Sequence, residues 1–295
     1  MSNQQKPDQH HIITESMLLI ERGLKHPIDI DSVIENSSLS NADYLKYFTQ
    51  YAHESPVDFQ TRLRTERALL LLLTNAASID TVSKQCGFQS HHDFIESFLK
   101  RFHQDPVDMM EQQNQHHNLI SFNADNTILT ATEQSISSLN DAIQIKECAP
   151  LAIQYLRHVG PYNEAYKAWL GLIYRAGTKY ALNPNVSKVG LSLDFPSITQ
   201  APHLRYEAGL SLEKTIPTLL SKSIAGGLYA IYEHTAGPAS VDAKISEILQ
   251  LWLPGSAYRL RDEPLYYRYS NFGSTAFKMK QIGITIHIPI TKKSD

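Results

Sequence analysis

Cysteine is almost absent from this 295-residue chain: the two present, Cys86 and Cys148, fall in different halves, which excludes a disulfide framework and a thiolate metal cluster. Long apolar runs are missing too. The longest leucine block is Leu69 to Leu73, far short of the roughly 20 residues of a membrane span. With a polar start, Met1-Ser2-Asn3-Gln4-Gln5-Lys6, the sequence reads as cytoplasmic, without a membrane partner. No glycine-rich phosphate loop, Gly-x-Ser-x-Gly elbow or Cys-x-x-Cys pair occurs. The pairs His91-His92 and His116-His117 are sequence neighbours, so on a helix they diverge by about 100° and do not grip one metal as an i, i+4 pair does. No catalytic residue, metal or cofactor is therefore expected. Basic charge is also short: residues 1–110 carry ten Lys and Arg against fifteen Asp and Glu, a net −5. Phosphate neutralisation supplies most non-specific affinity for nucleic acid, so a reader of that composition must gather its few cations on one face.

What is present fits folded domains. A chain of this length with 42% hydrophobic residues exceeds one usual core and implies two. Between 111 and 142 the sequence turns to Gln, Asn, His, Ser and Thr with no sustained apolar period, which reads as a polar linker. Residues 8–110 repeat apolar positions at helical spacing; residues 143–292 mix Tyr-rich and β-branched runs with two helical stretches. The expected fold is multidomain, all-α followed by α+β.

The first domain contains two similar units. One runs Ile30, Val33, Ile34, a turn at Asn36-Ser37-Ser38-Leu39, a capping Ser40, then a helix with Tyr44, Leu45 and Phe48 inward. The other runs Ile79, Val82, Ser83, then Gly87-Phe88, then a helix with Phe94 and Phe98 inward. Each spells helix, tight turn, helix, with Gly87 supplying a positive φ and Asn36 the candidate for it in the first unit. Between them lies a linking helix, Pro56-Val57-Asp58-Phe59-Gln60-Thr61-Arg62-Leu63-Arg64. This pattern resembles the DNA-binding domain of AraC-type regulators, which implies that the second helix of each unit enters a major groove. The residues placed on DNA by that resemblance are Ser40, Asn41, Asp43, Lys46, Arg64, Gln89, Ser90, His91 and Lys100. Three features depart from the family. Ile34 and Ser83 replace a small alanine, His53 and His103 replace glycines, and the usual basic position of the recognition helix is Lys46 in one unit but Glu96 in the other.

The second domain reads as a duplication. Ile153 to Pro161 precedes a helix with Tyr162, Tyr166, Trp169, Leu170 and Ile173 inward; Tyr229 to Pro238 precedes another with Val241, Ile245, Ile248, Leu249 and Trp252. Offsets within both are 0, 4, 7, 8 and 11, and each helix is followed by two strand-like runs, 187–194 and 203–212, then 265–271 and 281–289. A duplicated β-α-β-β unit follows, one antiparallel sheet with helices on one side and an aromatic cleft between the repeats. The motifs Arg157-His158-Val159-Gly160-Pro161-Tyr162, Asp194-Phe195-Pro196, Arg205-Tyr206-Glu207-Ala208, Trp252-Leu253-Pro254 and Ile286-His287-Ile288-Pro289-Ile290 resemble GyrI-like small-molecule-binding domains. The resemblance implies ligand contacts at Trp169, Phe195, Tyr206, Tyr229, Tyr267 and Tyr269. Where many such domains carry a cation-attracting glutamate, this chain has Tyr267, which favours a neutral or weakly cationic aromatic ligand; Glu207 and Glu233 are the alternative acids.

The sequence therefore reads as a ligand-responsive AraC-family regulator that is not an enzyme. Its partners would be an operator bound weakly or under ligand control, a small-molecule effector and, as a candidate, a second copy in a homodimer. The alternative is a ligand-sequestering or gyrase-inhibitor-like binding protein whose first domain no longer reads DNA.

Overall fold

Among the described residues, helices alone build the first half of the chain. The structure, a computed structural model, describes residues 9–74, 78–116, 133–236, 240–270 and 282–293. The first of two units, Met1–Leu119, contains α1 Gln9–Arg22, α2 Ile30–Ser37, α3 Asn41–Ala52, α4 Pro56–Thr74, α5 Ile79–Gln85, α6 His91–Phe102 and α7 Pro106–His116. Side-chain caps set the starts: Asp29, Ser40, Ser78 and Ser90 each accept a backbone N–H of the turn that follows, satisfying donors the helix cannot. The positive φ of the first interhelical turn falls on Ser38 (57°), not on Asn36, whose amide donates instead to the Ser32 carbonyl. In the second turn it falls on Gly87 (85°), where a Cβ would lie 2.2 Å from the Leu24 carbonyl oxygen. His53 and His103 adopt the left-handed conformation (62° and 56°) that caps α3 and α6, which explains why a glycine suits both positions.

Each helix pair has its own aromatic core. Tyr44, Phe48 and Phe59 form one run with ring centroids 5.8 and 5.7 Å apart; Phe88, Phe94, Phe98 and Phe102 form the other, at 5.2, 5.5 and 4.7 Å. Leu45, expected inward, is exposed on α3. Helix α4 joins the pairs through alternating charges. Arg62 donates to Glu54 and, at 2.9 Å, to Glu66, whose other oxygen accepts from Arg101 at 2.7 Å.

The second unit, Ile120–Asp295, begins its described part with α8 Glu133–Ala142. The polar stretch 111–142 is thus helical at both ends, with Leu139 and Ile143 buried, while 117–132 lies outside the described residues. Nine strands follow among the described residues: β1 Gln144–Cys148, β2 Leu151–Val159, β3 Lys188–Ser192, β4 Arg205–Leu210, β5 Leu220–Ile224, β6 Gly227–Ala236, β7 Tyr258–Leu260, β8 Leu265–Tyr269 and β9 Ile282–Lys292. Helices α9 Tyr166–Ala176 and α10 Thr178–Leu182 follow β2, and α11 Val241–Glu247 runs on as a π-helical turn, Ile248–Trp252. The antiparallel sheet is ordered β1-β6-β9-β8-β3-β4-β2-β5, with β7 on β9. The order is symmetric about the β8–β3 seam, and the repeats are β2-α9-β3-β4 and β6-α11-β8-β9. Edge strands β1 and β5, absent from the expected unit, are exchanged: β1 precedes the first repeat but pairs with β6 of the second, and β5 precedes the second but pairs with β2 of the first.

The equal helix offsets do not describe equal faces. Val241, Ile245, Ile248, Leu249 and Trp252 are all buried, and α8 packs against the π-helical turn. In α9, however, Tyr166 and Leu170 are exposed (46% and 52%), and the buried face is Ala165, Ala168, Trp169, Leu172 and Ala176. Counting only large side chains missed it; the alanines are what let α9 lie close on β2 and β4. Aligning Gly160-Pro161 with Gly237-Pro238 instead sets Ala165, Ala168, Leu172 and Ala176 opposite Asp242, Ile245, Leu249 and Leu253.

Candidate functional site

Alternation along the strands sorts the tyrosines onto two faces. The helix-facing side of the β3, β4 and β8 strands carries Ser192, Tyr206, Tyr267 and Tyr269, because Trp169 of α9 donates its indole N–H to the Tyr206 hydroxyl at 3.0 Å. The Tyr206 and Tyr269 hydroxyls share a 2.8 Å hydrogen bond. Trp169 stands edge-on to the Tyr269 ring at 5.4 Å, and Tyr162 lies 6.2 Å from Tyr206. The Tyr267 hydroxyl bonds Ser192, and Tyr162 donates to the Asp194 carbonyl at 2.7 Å. Gly190 on β3 is the floor: a Cβ there would sit 2.2 Å from the Tyr206 hydroxyl oxygen and 2.9 Å from that of Tyr269. Only a residue without a side chain lets both phenols meet over the strand.

One acid faces this cluster, and the sequence reading did not name it. Asp242, in the first turn of α11, occupies the sheet-facing position that Ala165 fills in the other repeat. Burial pushes its carboxyl up to about 6. No hydrogen bond or cation answers it among the described residues. Burial first, with the Asp242 charge adding in the same direction, raises the phenols of Tyr267 and Tyr162 well above their usual range and that of Tyr269 to about 12. The signal was available as a carboxylate in a helix whose sheet-facing positions are otherwise apolar.

The remaining expected ligand residues lie elsewhere. Tyr229 is on the opposite face of the sheet, 5.3 Å from Tyr266 with Arg261 stacked over its ring, so it does not join Tyr267, the strand neighbour of Tyr266. Phe195 is half-buried in the loop after β3, where its carbonyl accepts from Ile198 and Thr199. Neither alternative acid is available: Glu207 is fully buried on the far face against Arg157 and Lys222, and Glu233 is exposed.

In the first unit, Asn41, Asp43 and Lys46 of α3, and Gln89, His91 and Lys100 on or beside α6, are exposed. Ser40 and Ser90 are also exposed, but their hydroxyls cap the helices. His91 lies 3.1 Å from the Asp80 carboxylate. Arg64 differs from these exposed side chains. It is buried, with Nε donating to the Leu24 carbonyl at 2.6 Å and Nη2 to that of His26, and burial lowers its pKa. Gln60, one turn earlier, bonds His26 and Ile28 of the same loop, which Gly87 also touches. Arg64 therefore clamps the α1–α2 loop through Nε and Nη2. Arg64→Ala should cost the unit about 2–3 kcal/mol, the worth of charge-assisted bonds to buried carbonyls. A thermal melt within 1 °C of wild type would contradict the clamp.

Residues 141–290 match the GyrI-like small molecule binding domain, and residues 36–112 match a helix-turn-helix domain. The HTH-type transcriptional regulator GbdR of Pseudomonas aeruginosa is 33% identical over 103 residues, 35% of this chain and 28% of its own length. The probable transcriptional regulator YgiV of Escherichia coli is 22% identical over 105 residues, 34% of this chain and 65% of its own. The chain thus spans under a third of GbdR and just under two thirds of YgiV. A crystal structure of an AraC-type DNA-binding domain-containing regulator from Chromobacterium violaceum aligns at 27% identity and TM-score 0.32, covering 36% of this chain and 94% of that one. No helix among the described residues is long and apolar enough to cross a membrane, and no group of three or more His, Cys, Asp or Glu among them could hold a metal. With half its length in the matched domain, the chain belongs to the GyrI-like small-molecule-binding family and carries an AraC-type helix-turn-helix domain ahead of it.

Proposed function

We propose that this protein is a ligand-responsive transcriptional regulator and not an enzyme. Its first unit reads an operator with α3 and α6, and its second binds a small aromatic molecule on Tyr162, Trp169, Tyr206, Tyr267 and Tyr269. The observation that carries the reading is the pairing of two serine-capped helices, each with an exposed polar face, with an aromatic cluster on a sheet built from two repeats. Exposed first turns of such helices are the part of the motif that reaches base edges. Charge sets the division of labour. Lys46 is exposed on α3, whereas α6 exposes Asp93 and Glu96 between its serine cap and Lys100.

Operator affinity should therefore reside mainly in α3. Lys46→Ala is expected to weaken binding about tenfold or more without moving the melting temperature, because an exposed lysine contributes to the complex and little to the fold. Glu96→Arg should tighten binding by removing repulsion from phosphate. Band-shift titrations at two salt concentrations check both; unchanged affinity for both variants would favour the second reading, a ligand-binding protein without an operator, which the exposed acids of α6 support.

A further inference from the structure

The outer side of α9 is apolar where a solvated helix face carries charge. Every large hydrophobic side chain that the described part of the second unit exposes lies on α9 or α10: Tyr166, Leu170 and Tyr174 about one turn apart along α9, and Leu182 at the end of α10. Tyr174 is 90% exposed. The inner side of α9 is already occupied, with Ala168, Trp169 and Leu172 buried and the helix packed on β2 and β4, so the outer stripe adds nothing to that core. At about 150–250 Å² for a fully exposed side chain of this size, the four present roughly 500 Å², a patch that on a soluble chain marks a contact surface.

Charge is unequal along this stripe. Its N-terminal end carries Glu164, which is bonded to Lys167 and still 42% exposed, whereas its C-terminal end carries Arg175 and the exposed Lys179, with no acid between Tyr166 and Leu182. A matching partner therefore sets cations against Glu164 and an acid against Lys179. A second copy running antiparallel supplies both. With the two Leu170 side chains facing each other on a two-fold axis, Tyr166 of each copy is level with Tyr174 of the other, and Glu164 is level with Ala176, between Arg175 and Lys179. The helix dipoles then oppose as well. From this order of apolar and charged residues we infer that the α9–α10 face is a homodimer interface, with α9 packed antiparallel on α9 of a second copy. Parallel pairing would set Arg175 and Lys179 against their own duplicates. About 1,000 Å² buried by the pair lies at the low end of specific interfaces, so the dimer is weak, dissociating on the order of 10 μM. Neither operator nor effector enters this pairing, and loss of the dimer leaves the regulator reading standing.

Sedimentation equilibrium of the full chain without DNA, between about 1 and 200 μM, should show a reversible monomer–dimer equilibrium. Leu170→Asp should weaken it about tenfold or more at an unchanged melting temperature, because the exposed side chain adds little to the fold and the change sets two carboxylates face to face on the axis. Should that variant fail to fold, Tyr174→Ser, at the most exposed of the four positions, takes its place with the same expectation. Glu164→Lys and Lys179→Glu should each weaken the dimer about threefold or more, since symmetry repeats each change, and the double variant should return to within twofold of wild type. Wild type that stays monomeric at about 200 μM overturns the inference, whatever then covers α9, the first unit included. A dimer that Leu170→Asp leaves intact overturns it too. So do charge variants, single or double, that depart from this order of affinities.

Discussion

Replacing Glu207 with alanine is expected to destabilise the second unit by about 3–5 kcal/mol, the usual result of stripping one partner from a buried ion pair. Arg157 and Glu207 face each other directly across β2 and β4, both side chains are fully buried, and the Arg157 Nη2 lies 2.7 Å from the Glu207 carboxylate. Lys222 of β5 reaches the other carboxylate oxygen and lies over the Tyr155 ring. Since β5 is the exchanged edge strand, the Lys222–Glu207 pair adds a side-chain tie to its backbone ladder on β2. Without Glu207 the buried guanidinium loses the carboxylate that faces it across the two strands. For a unit of this size the melting temperature should fall on the order of 10 °C. Replacing Arg157 and Glu207 together with Met and Leu should recover most of the loss, because it removes the stranded charge as well as the pair. A Glu207→Ala melt within 2 °C of wild type would contradict the arrangement.

Asp242→Asn should do the opposite, stabilising the ligand-free protein at neutral pH by up to about 3 kcal/mol. The sign follows from the direction of the shift. The Asp242 carboxyl rises from 3.8 to about 6 in the folded chain, so between those values the folded state holds the proton more firmly than the unfolded one. Stability carried by this group is present below pH 4 and declines as pH rises through 6; above that, the ionised carboxylate is a standing cost. Asparagine does not ionise and avoids it. Comparing chemical denaturation of wild type and variant at pH 4 and pH 7.5 checks this: the gap should open only at the higher pH. A gap of equal size at both pH values would mean that packing, and not charge, separates them.

Much of the architecture was legible because it rests on local rules. Serine caps, Gly87 and the spacing of Phe94 and Phe98 define the helix pairs from sequence alone. The duplicated order of strand, helix and strands was likewise readable. What was not readable depends on packing or distant pairing. The inward face of α9 is marked by alanines, which carry little hydrophobic signal, so the larger Tyr166 and Leu170 drew the wrong stripe. The β1 and β5 strands escaped because their pairing crosses between repeats. The structural role of Arg64 escaped because sequence cannot show that two loop carbonyls, forty and thirty-eight residues away, accept from its Nε and Nη2. Tyr229 and Tyr267 looked equivalent as aromatic strand residues, yet the faces they occupy are set by the registers of β6, β8 and β9. Asp242 was overlooked because an acid in a first helical turn ordinarily complements the helix dipole and faces water.

The central claim is that this chain reads DNA through α3 and α6. It is tested most directly by selecting fragments of genomic DNA with the purified full-length protein and sequencing what is retained, with Lys46→Ala as the matched control. The account predicts that wild type enriches a small set of fragments sharing one sequence, with contacts in two successive major grooves, and that the Lys46→Ala variant loses that enrichment while melting at the same temperature. Retention without a shared sequence, or the same enrichment from Lys46→Ala, would contradict it.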